Sequence, residues 1–250
     1  MILQNMLTRA QLVLTTLVLA AAACAQPERP AEKANVPPAP AATVTVAPGA
    51  TPGALPGATA GATPGATRPR IVFLGDSLTA GLGLQPNESV PSLIQARIEQ
   101  AGYRYEVINA GVSGDTSAGG LRRLDWSLDG QVAFLVIELG ANDGLRGLPV
   151  ADMKRNLDAI ITAAKRRNIT VVLTGMEAPP NYGAAYTSEF RQVFADLAKQ
   201  HSVHFMPFFL EGVAGNPALN QGDGIHPNPQ GARIIEGNIW SALEPLLDRE

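Results

Sequence analysis

From residue 70 onward the chain alternates short apolar runs with longer stretches in which apolar positions recur every three or four residues. Ile71-Val72-Phe73-Leu74, stopped by Gly75, reads as a buried strand. Similar runs at 105–108, 132–139, 169–174 and, more weakly, 203–206 bring the count to five strands. Between them the period changes. A helix starting near Val150 carries Met153, Leu157, Ile160, Ile161 and Ala164 on one face and Lys154, Arg155, Asp158 and Lys165 on the other. Asp152 near its start and Arg166-Arg167 at its end suit the helix dipole. A second helix shows Phe190, Val193, Phe194 and Leu197. The last takes Asn228 as cap and Pro229 in its first turn, then turns Ile235, Ile239, Leu243 and Leu246 inward. Trp126 and Trp240 fall on helical faces and are expected in the core. Strands apolar on both faces, alternating with helices, predict an α/β fold: a parallel sheet covered on two sides. In such folds ligands bind beyond the carboxyl ends of the strands.

The region before residue 70 follows other rules. Residues 12–23 are almost unbroken apolar sequence, with Arg9 ahead and small residues behind, which reads as a secretion signal over 1–23. The run is shorter than the about 20 residues a membrane span needs. Cys24, the one cysteine, excludes a disulfide framework and any multi-cysteine metal site. Ala21-Ala-Ala-Cys24-Ala25 resembles a bacterial lipobox with Ala21 in place of the usual leucine, so lipidation of Cys24 is expected; cleavage after Ala23 or Ala25 is the alternative. Residues 24–69 hold a Pro-Gly-Ala-Thr type repeat from Pro48 to Thr67. Such composition buries too little apolar area to offset chain entropy, so a disordered leash is expected there. Residues 70–250 then form one domain, with 15 Lys+Arg against 20 Asp+Glu and no basic cluster, which argues against nucleic acid as a partner.

Four loop segments at or after the strands are rich in small and polar residues. They are Gly75-Asp76-Ser77-Leu78, Asn109 to Thr116 with its Ser113-Gly114-Asp115-Thr116, Gly140 to Gly147, and Asp223-Gly224-Ile225-His226-Pro227. Together they supply a serine, loop glycines, an asparagine amide, and an aspartate three residues before a histidine. That is the inventory of acyl transfer: a nucleophile, a base with its orienting carboxylate, and donors for an oxyanion. Pro227 keeps His226 out of helical conformation and Gly224 permits a tight turn before it. The spacing His201-x-x-His204 occurs in metal sites, but no third ligand accompanies it, and no metal is expected.

These blocks, with Glu138-Leu-Gly-Ala-Asn-Asp-Gly-Leu-Arg-Gly147, resemble the SGNH (GDSL) hydrolase family over essentially all of 70–250, and within it the bacterial thioesterase I/lysophospholipase L1 and arylesterase branch. The resemblance implies a three-layer α/β/α sandwich on a five-stranded parallel sheet of flavodoxin-like type. It implies Ser77 as nucleophile, Asp223 and His226 as its partners, and the Ser77 and Gly114 backbone N–H groups with the Asn142 side chain as the oxyanion hole. It also implies that Leu145, Arg146, Gly147 and Leu148 line the acyl site, opposite Pro180, Asn181 and Tyr182. Asp76 and Asp115, inside the blocks, are expected to brace loops.

The implied reaction is hydrolysis of carboxylic esters and thioesters of fatty acyl or aryl groups through an acyl-enzyme, without a cofactor. His226 must be neutral to act, so acid is expected to suppress activity. The implied partner is a small-molecule ester or thioester, lysophospholipids included, and the implied location is the cell envelope or periplasm, with membrane contact through the Cys24 anchor. Two alternatives stand beside this reading. One is an O-acetylesterase of carbohydrate or cell-wall polymers; the other, from a different class, is an inactive envelope-tethered binding module.

Overall fold

The computed structural model describes residues 68–248. The expected signal and lipobox, Cys24 included, and the expected leash up to residue 67 lie outside the described residues.

Five strands, β1 (Arg70–Gly75), β2 (Glu106–Gly111), β3 (Val132–Glu138), β4 (Thr170–Thr174) and β5 (His204–Met206), form one sheet in the order β2-β1-β3-β4-β5. Every pairing is parallel. The helices in chain order are α1 (Ser77–Ala80), α2 (Val90–Gln100), α3 (Ser117–Arg122), α4 (Leu124–Ser127), α5 (Ala141–Leu145), α6 (Val150–Arg166), α7 (Ala184–His201) and α8 (Pro229–Leu243). α2 packs with α8, while α6 packs with α7 and α3, giving helical layers on both faces of the sheet. This is the expected α/β/α sandwich, reached because strands apolar on both faces need two covers.

The core follows the apolar pattern closely. Ile71, Val72, Phe73 and Leu74 of β1 and Leu135, Val136 and Ile137 of β3 are fully buried or nearly so, as are the apolar faces expected for α6 and α7. In α8, Ile235, Ile239 and Leu243 are buried, but Leu246 is only half-buried. Pro245 follows Glu244 at the point where the α-helix gives way to a 3-10 turn, Glu244–Leu246, which changes the angular step between residues. Trp240 is buried, with the Arg97 guanidinium 4.9 Å above its ring. Trp126 departs from expectation: it is 78% exposed. α4 is a single turn that buries Leu124 and Ser127, three apart, so the residue between them on the other side faces outward.

The order of strands reverses between β1 and β3, since the chain leaves β1 toward β2 and returns across it to β3. Loops after those strands diverge and leave a crevice at their carboxyl ends. Gly75, Gly111 and Glu138 stand there in register.

Candidate active site

The segment after β1 is built around a close approach. A Cβ at Gly75 would lie 2.0 Å from Thr79 Oγ1 and 2.6 Å from Glu138 Oε2, so only glycine fits there. Asp76 caps α1, its Oδ1 accepting from the Leu78 N–H at 3.0 Å. Ser77 therefore starts the helix, one position inside the cap, and is almost completely buried. Gly81, in the left-handed region at φ 77, ends the helix after one turn.

The segment from 220 to 228 folds back on itself. Asp223 Oδ1 accepts from the Ile225 and His226 backbone N–H groups, each at 3.0 Å, while its Oδ2 lies 2.7 Å from His226 Nδ1. Gly224, at φ 76, permits the turn. These bonds hold the Asp223 carboxylate well below its ordinary range, at about 2, the largest contribution coming from the His226 backbone N–H. The other imidazole nitrogen, Nε2, lies 2.8 Å from Ser77 Oγ, across 149 positions of sequence. Gln221 ties the two loops: its Nε2 donates to the carbonyls of Leu82 at 2.7 Å and Pro227 at 2.9 Å. Nothing in its neighbourhood marked Gln221 in the sequence; its role depends on which loop lies beside it.

The third and second loops are joined through Asp143. This buried carboxylate accepts from the Ser117 N–H at 2.8 Å and the Ser117 hydroxyl at 2.6 Å, linking α5 to α3. Asn142, beside it, donates through Nδ2 to Asp76 Oδ2 at 2.9 Å. Gly114 sits at φ 82, and its carbonyl accepts from Arg146 Nη2 at 2.8 Å. Asp115 is ion-paired with Arg123 at 2.6 Å, and Arg123 also donates to the carbonyls of Gly75 and Ala110. Asp76 and Asp115 thus brace loops.

A cavity of about 320 Å³ opens beside Ser77. Asp76, Ser77, Asn142, Glu177 and His226 provide its polar part, and Leu145, Met176, Pro179, Phe208, Leu210 and Ile225 much of its apolar wall. Of the seven residues expected against the acyl group, Leu145 lines this cavity. The others build a strap beside it. Tyr182, in the turn Pro180–Tyr182, donates to the Leu145 carbonyl at 3.0 Å, and Tyr186 donates to the Leu148 carbonyl at 2.8 Å. Gly147, at φ 60, passes so near Tyr182 that a Cβ would meet Cε1 at 2.5 Å. Pro179 reaches the cavity where Pro180 and Asn181 do not line it. The wall residues Met176, Phe208 and Leu210 went unmarked because apolar residues in the loops after β4 and β5 have no period to flag them. A wider recess of about 500 Å³ lies at the amino ends of the strands, lined by Arg70, Gln95, Glu106 and Gln131 among others, and brings together no hydroxyl and imidazole.

His201 and His204 serve elsewhere. His201 Nε2 lies 2.7 Å from Asp158 Oδ1, joining α7 to α6, and His204 begins β5.

Chemically, a hydroxyl in contact with an imidazole whose far nitrogen is held by a carboxylate can lose its proton as it attacks a carbonyl. A carboxamide and helix-start N–H groups nearby can hold the resulting oxyanion.

The model of the GDSL-like lipase/acylhydrolase family matches residues 73–234. The esterase TesA of Pseudomonas aeruginosa is 43% identical over 178 residues, covering 71% of this chain and 89% of TesA. Thioesterase 1/protease 1/lysophospholipase L1 of Escherichia coli is 35% identical over 181 residues, covering 72% of this chain and 86% of the enzyme. Among solved structures, the psychrotrophic esterase EstA from Pseudoalteromonas, inhibited by monoethylphosphonate, superposes with a TM-score of 0.68 at 37% identity, over 71% of this chain and 97% of EstA. Matching across most of the domain, in sequence and in fold alike, the chain belongs to the GDSL-like lipase/acylhydrolase family and is a carboxylic ester hydrolase.

Proposed function

We propose that the chain hydrolyses fatty acyl or aryl esters and thioesters, with Ser77 as nucleophile, His226 as general base and then acid, and Asp223 orienting the imidazole. The observation that carries this reading is the 2.8 Å contact between Ser77 Oγ and His226 Nε2, backed by Asp223 at 2.7 Å. His226 takes the Ser77 proton as Oγ attacks the carbonyl carbon. The Ser77 and Gly114 N–H groups and Asn142 Nδ2 stabilise the oxyanion. His226 returns the proton to the leaving alcohol or thiol, and water, activated by the same imidazole, releases the acid. Asp223, depressed to about 2, stays a carboxylate throughout and holds Nδ1 protonated. The phosphonate inhibition named for EstA supports a serine nucleophile here.

The mainly apolar wall of the cavity supports an acyl or aryl group over an acetylated sugar. Leu145 and the strap of Arg146, Gly147, Leu148, Pro180, Asn181 and Tyr182 form its rim. Among the described residues no helix is long and apolar enough to cross a membrane. The signal-like start, with Cys24 as lipid attachment, supports export to the envelope on a leash. Exported, the enzyme meets lysophospholipids and simple esters, since acyl-CoA is a cytosolic substrate.

Labelling with a fluorophosphonate, followed by a p-nitrophenyl ester series with wild type beside Ser77→Ala, tests the reading. Labelling and turnover that both vanish in the variant support it; turnover that survives overturns it. Mass analysis of the mature N-terminus decides Cys24.

A further inference from the structure

Glu138 closes β3, a strand otherwise apolar from Val132 to Ile137, and it is completely buried. Its Oε2 accepts twice, from the Asp76 N–H at 3.2 Å and from Thr79 Oγ1 at 2.8 Å. Its Oε1 is buried and has no donor directed at it. A second carboxyl group, that of Asp76, lies within hydrogen-bonding reach and is itself buried. Both Asp76 oxygens are engaged by N–H donors, Oδ1 by Leu78 and Oδ2 by Asn142. Two ionised carboxylates in contact, away from water, repel strongly; one shared proton removes the conflict.

We propose that Glu138 is a neutral carboxylic acid whose Oε1–H donates to the Asp76 carboxylate, and that this pair is a positioning device for the Asn142 amide. The proton belongs on Oε1 because that oxygen lacks a partner, whereas Asp76 is surrounded by donors that favour its charge. Burial, and then the charge of Asp76, pushes the Glu138 carboxyl well above the usual glutamate range. Burial raises Asp76 too, against the opposing bonds from Leu78, Asn142 and Glu138 and the pull of His226. Held as an acceptor, Asp76 takes one hydrogen of Asn142 Nδ2, which leaves the second free to face an oxyanion. Glu138 thus acts at one remove from the reacting atoms. Ionising it would place a second negative charge behind Asp76 and Asn142, beside the point where oxyanion charge develops.

This inference rests on Asn142 being an oxyanion donor, and the experiment separates the two claims. The full chain is compared as wild type, Glu138→Gln, Glu138→Ala, Asn142→Ala and Glu138→Ala/Asn142→Ala, each checked for folding by circular dichroism. Glutamine reproduces the neutral acid: its carbonyl accepts from Asp76 N–H and Thr79, and its NH₂ donates to Asp76. Glu138→Gln is expected to keep kcat within about threefold, while Glu138→Ala loses about 10–100-fold in kcat with KM little changed. The double variant is expected to be no slower than Asn142→Ala, because both changes disable one donor.

Infrared difference spectra of wild type at neutral pH are expected to show a protonated-carboxyl band that is missing in Glu138→Gln. That measurement decides the protonation state even where Glu138→Ala does not fold. A Glu138→Gln enzyme as slow as Glu138→Ala, an additive double variant, or an absent carboxyl band overturns the inference. Full activity in Asn142→Ala would instead overturn the oxyanion role on which it rests.

Discussion

Asn142 and Asp76, 66 positions apart, are joined by a 2.9 Å bond from the amide Nδ2 to the carboxylate Oδ2, across the gap between the loops after β3 and β1. The bond spans the switch point of the sheet. It aims a neutral donor at the region beside Ser77 and leaves the amide little freedom to turn.

Asn142→Ala is expected to lower kcat by about 10²–10³ with KM and thermal stability little altered, as for other lost oxyanion donors. Steady-state kinetics on a p-nitrophenyl ester check this. A loss below about threefold would remove Asn142 from the mechanism.

Asp223 has a depressed carboxyl, so its contribution to stability is present above its unfolded value of 3.8 and is lost as pH falls toward about 2. An acid loss of activity well above pH 2 therefore reports another group. A carbon-13 titration of the Asp223 carboxyl should give a midpoint near 2. Asp223→Asn should reduce kcat by up to about 10⁴, because an amide no longer favours the tautomer with hydrogen on Nδ1.

Glu138 carries the opposite linkage. Its carboxyl is raised in the fold, so the unfolded chain binds fewer protons than the native one once pH exceeds the ordinary glutamate value of 4.5. Stability contributed at this site is greatest in acid and declines as pH rises from that point. The advantage of Glu138→Gln over wild type in denaturant midpoint should widen from pH 4 to pH 8; an unchanging difference would show that Glu138 ionises normally.

Gly75→Ala introduces a Cβ 2.0 Å from Thr79 Oγ1 and 2.6 Å from Glu138 Oε2. Overpacking of this kind costs about 1–3 kcal/mol. For a domain of this size each kcal/mol lowers Tm by about 2–4 °C. Calorimetry should show that drop, with a fall in kcat as the Asp76–Glu138 contact is displaced.

Ala214 lines the cavity with a small side chain, so Ala214→Phe should shorten the accepted acyl chain. In wild type, kcat/KM is expected to rise with each methylene buried, at about 0.8 kcal/mol apiece, until the wall is reached. In the variant the rise should stop earlier, while the acetate ester is cleaved as before. Identical chain-length profiles would place the acyl group elsewhere.

Much was legible in the amino-acid order alone. Periodicity located all five strands and the faces of α6, α7 and α8, because burial selects apolar residues at the spacing of each element. The blocks around Ser77, Asn142 and Asp223–His226 could be read because each needs particular residues locally: a cap at Asp76, a turn at Gly224, a proline after His226. Other features depended on neighbours distant in the chain. Trp126 points outward because a one-turn helix has room to bury only Leu124 and Ser127. The cavity wall came from Met176, Phe208 and Leu210 in place of much of the strap, since loop residues carry no period and their facing is decided by the elements they pass. Gln221 matters only because Leu82 lies beside it. Glu138 likewise stands in the sequence at the end of an apolar strand, but its protonation depends on Asp76 and Thr79, which only folding brings into contact with it. Sequence carries preferences of residues for local geometry; the distances that turn them into chemistry exist once the sheet has closed.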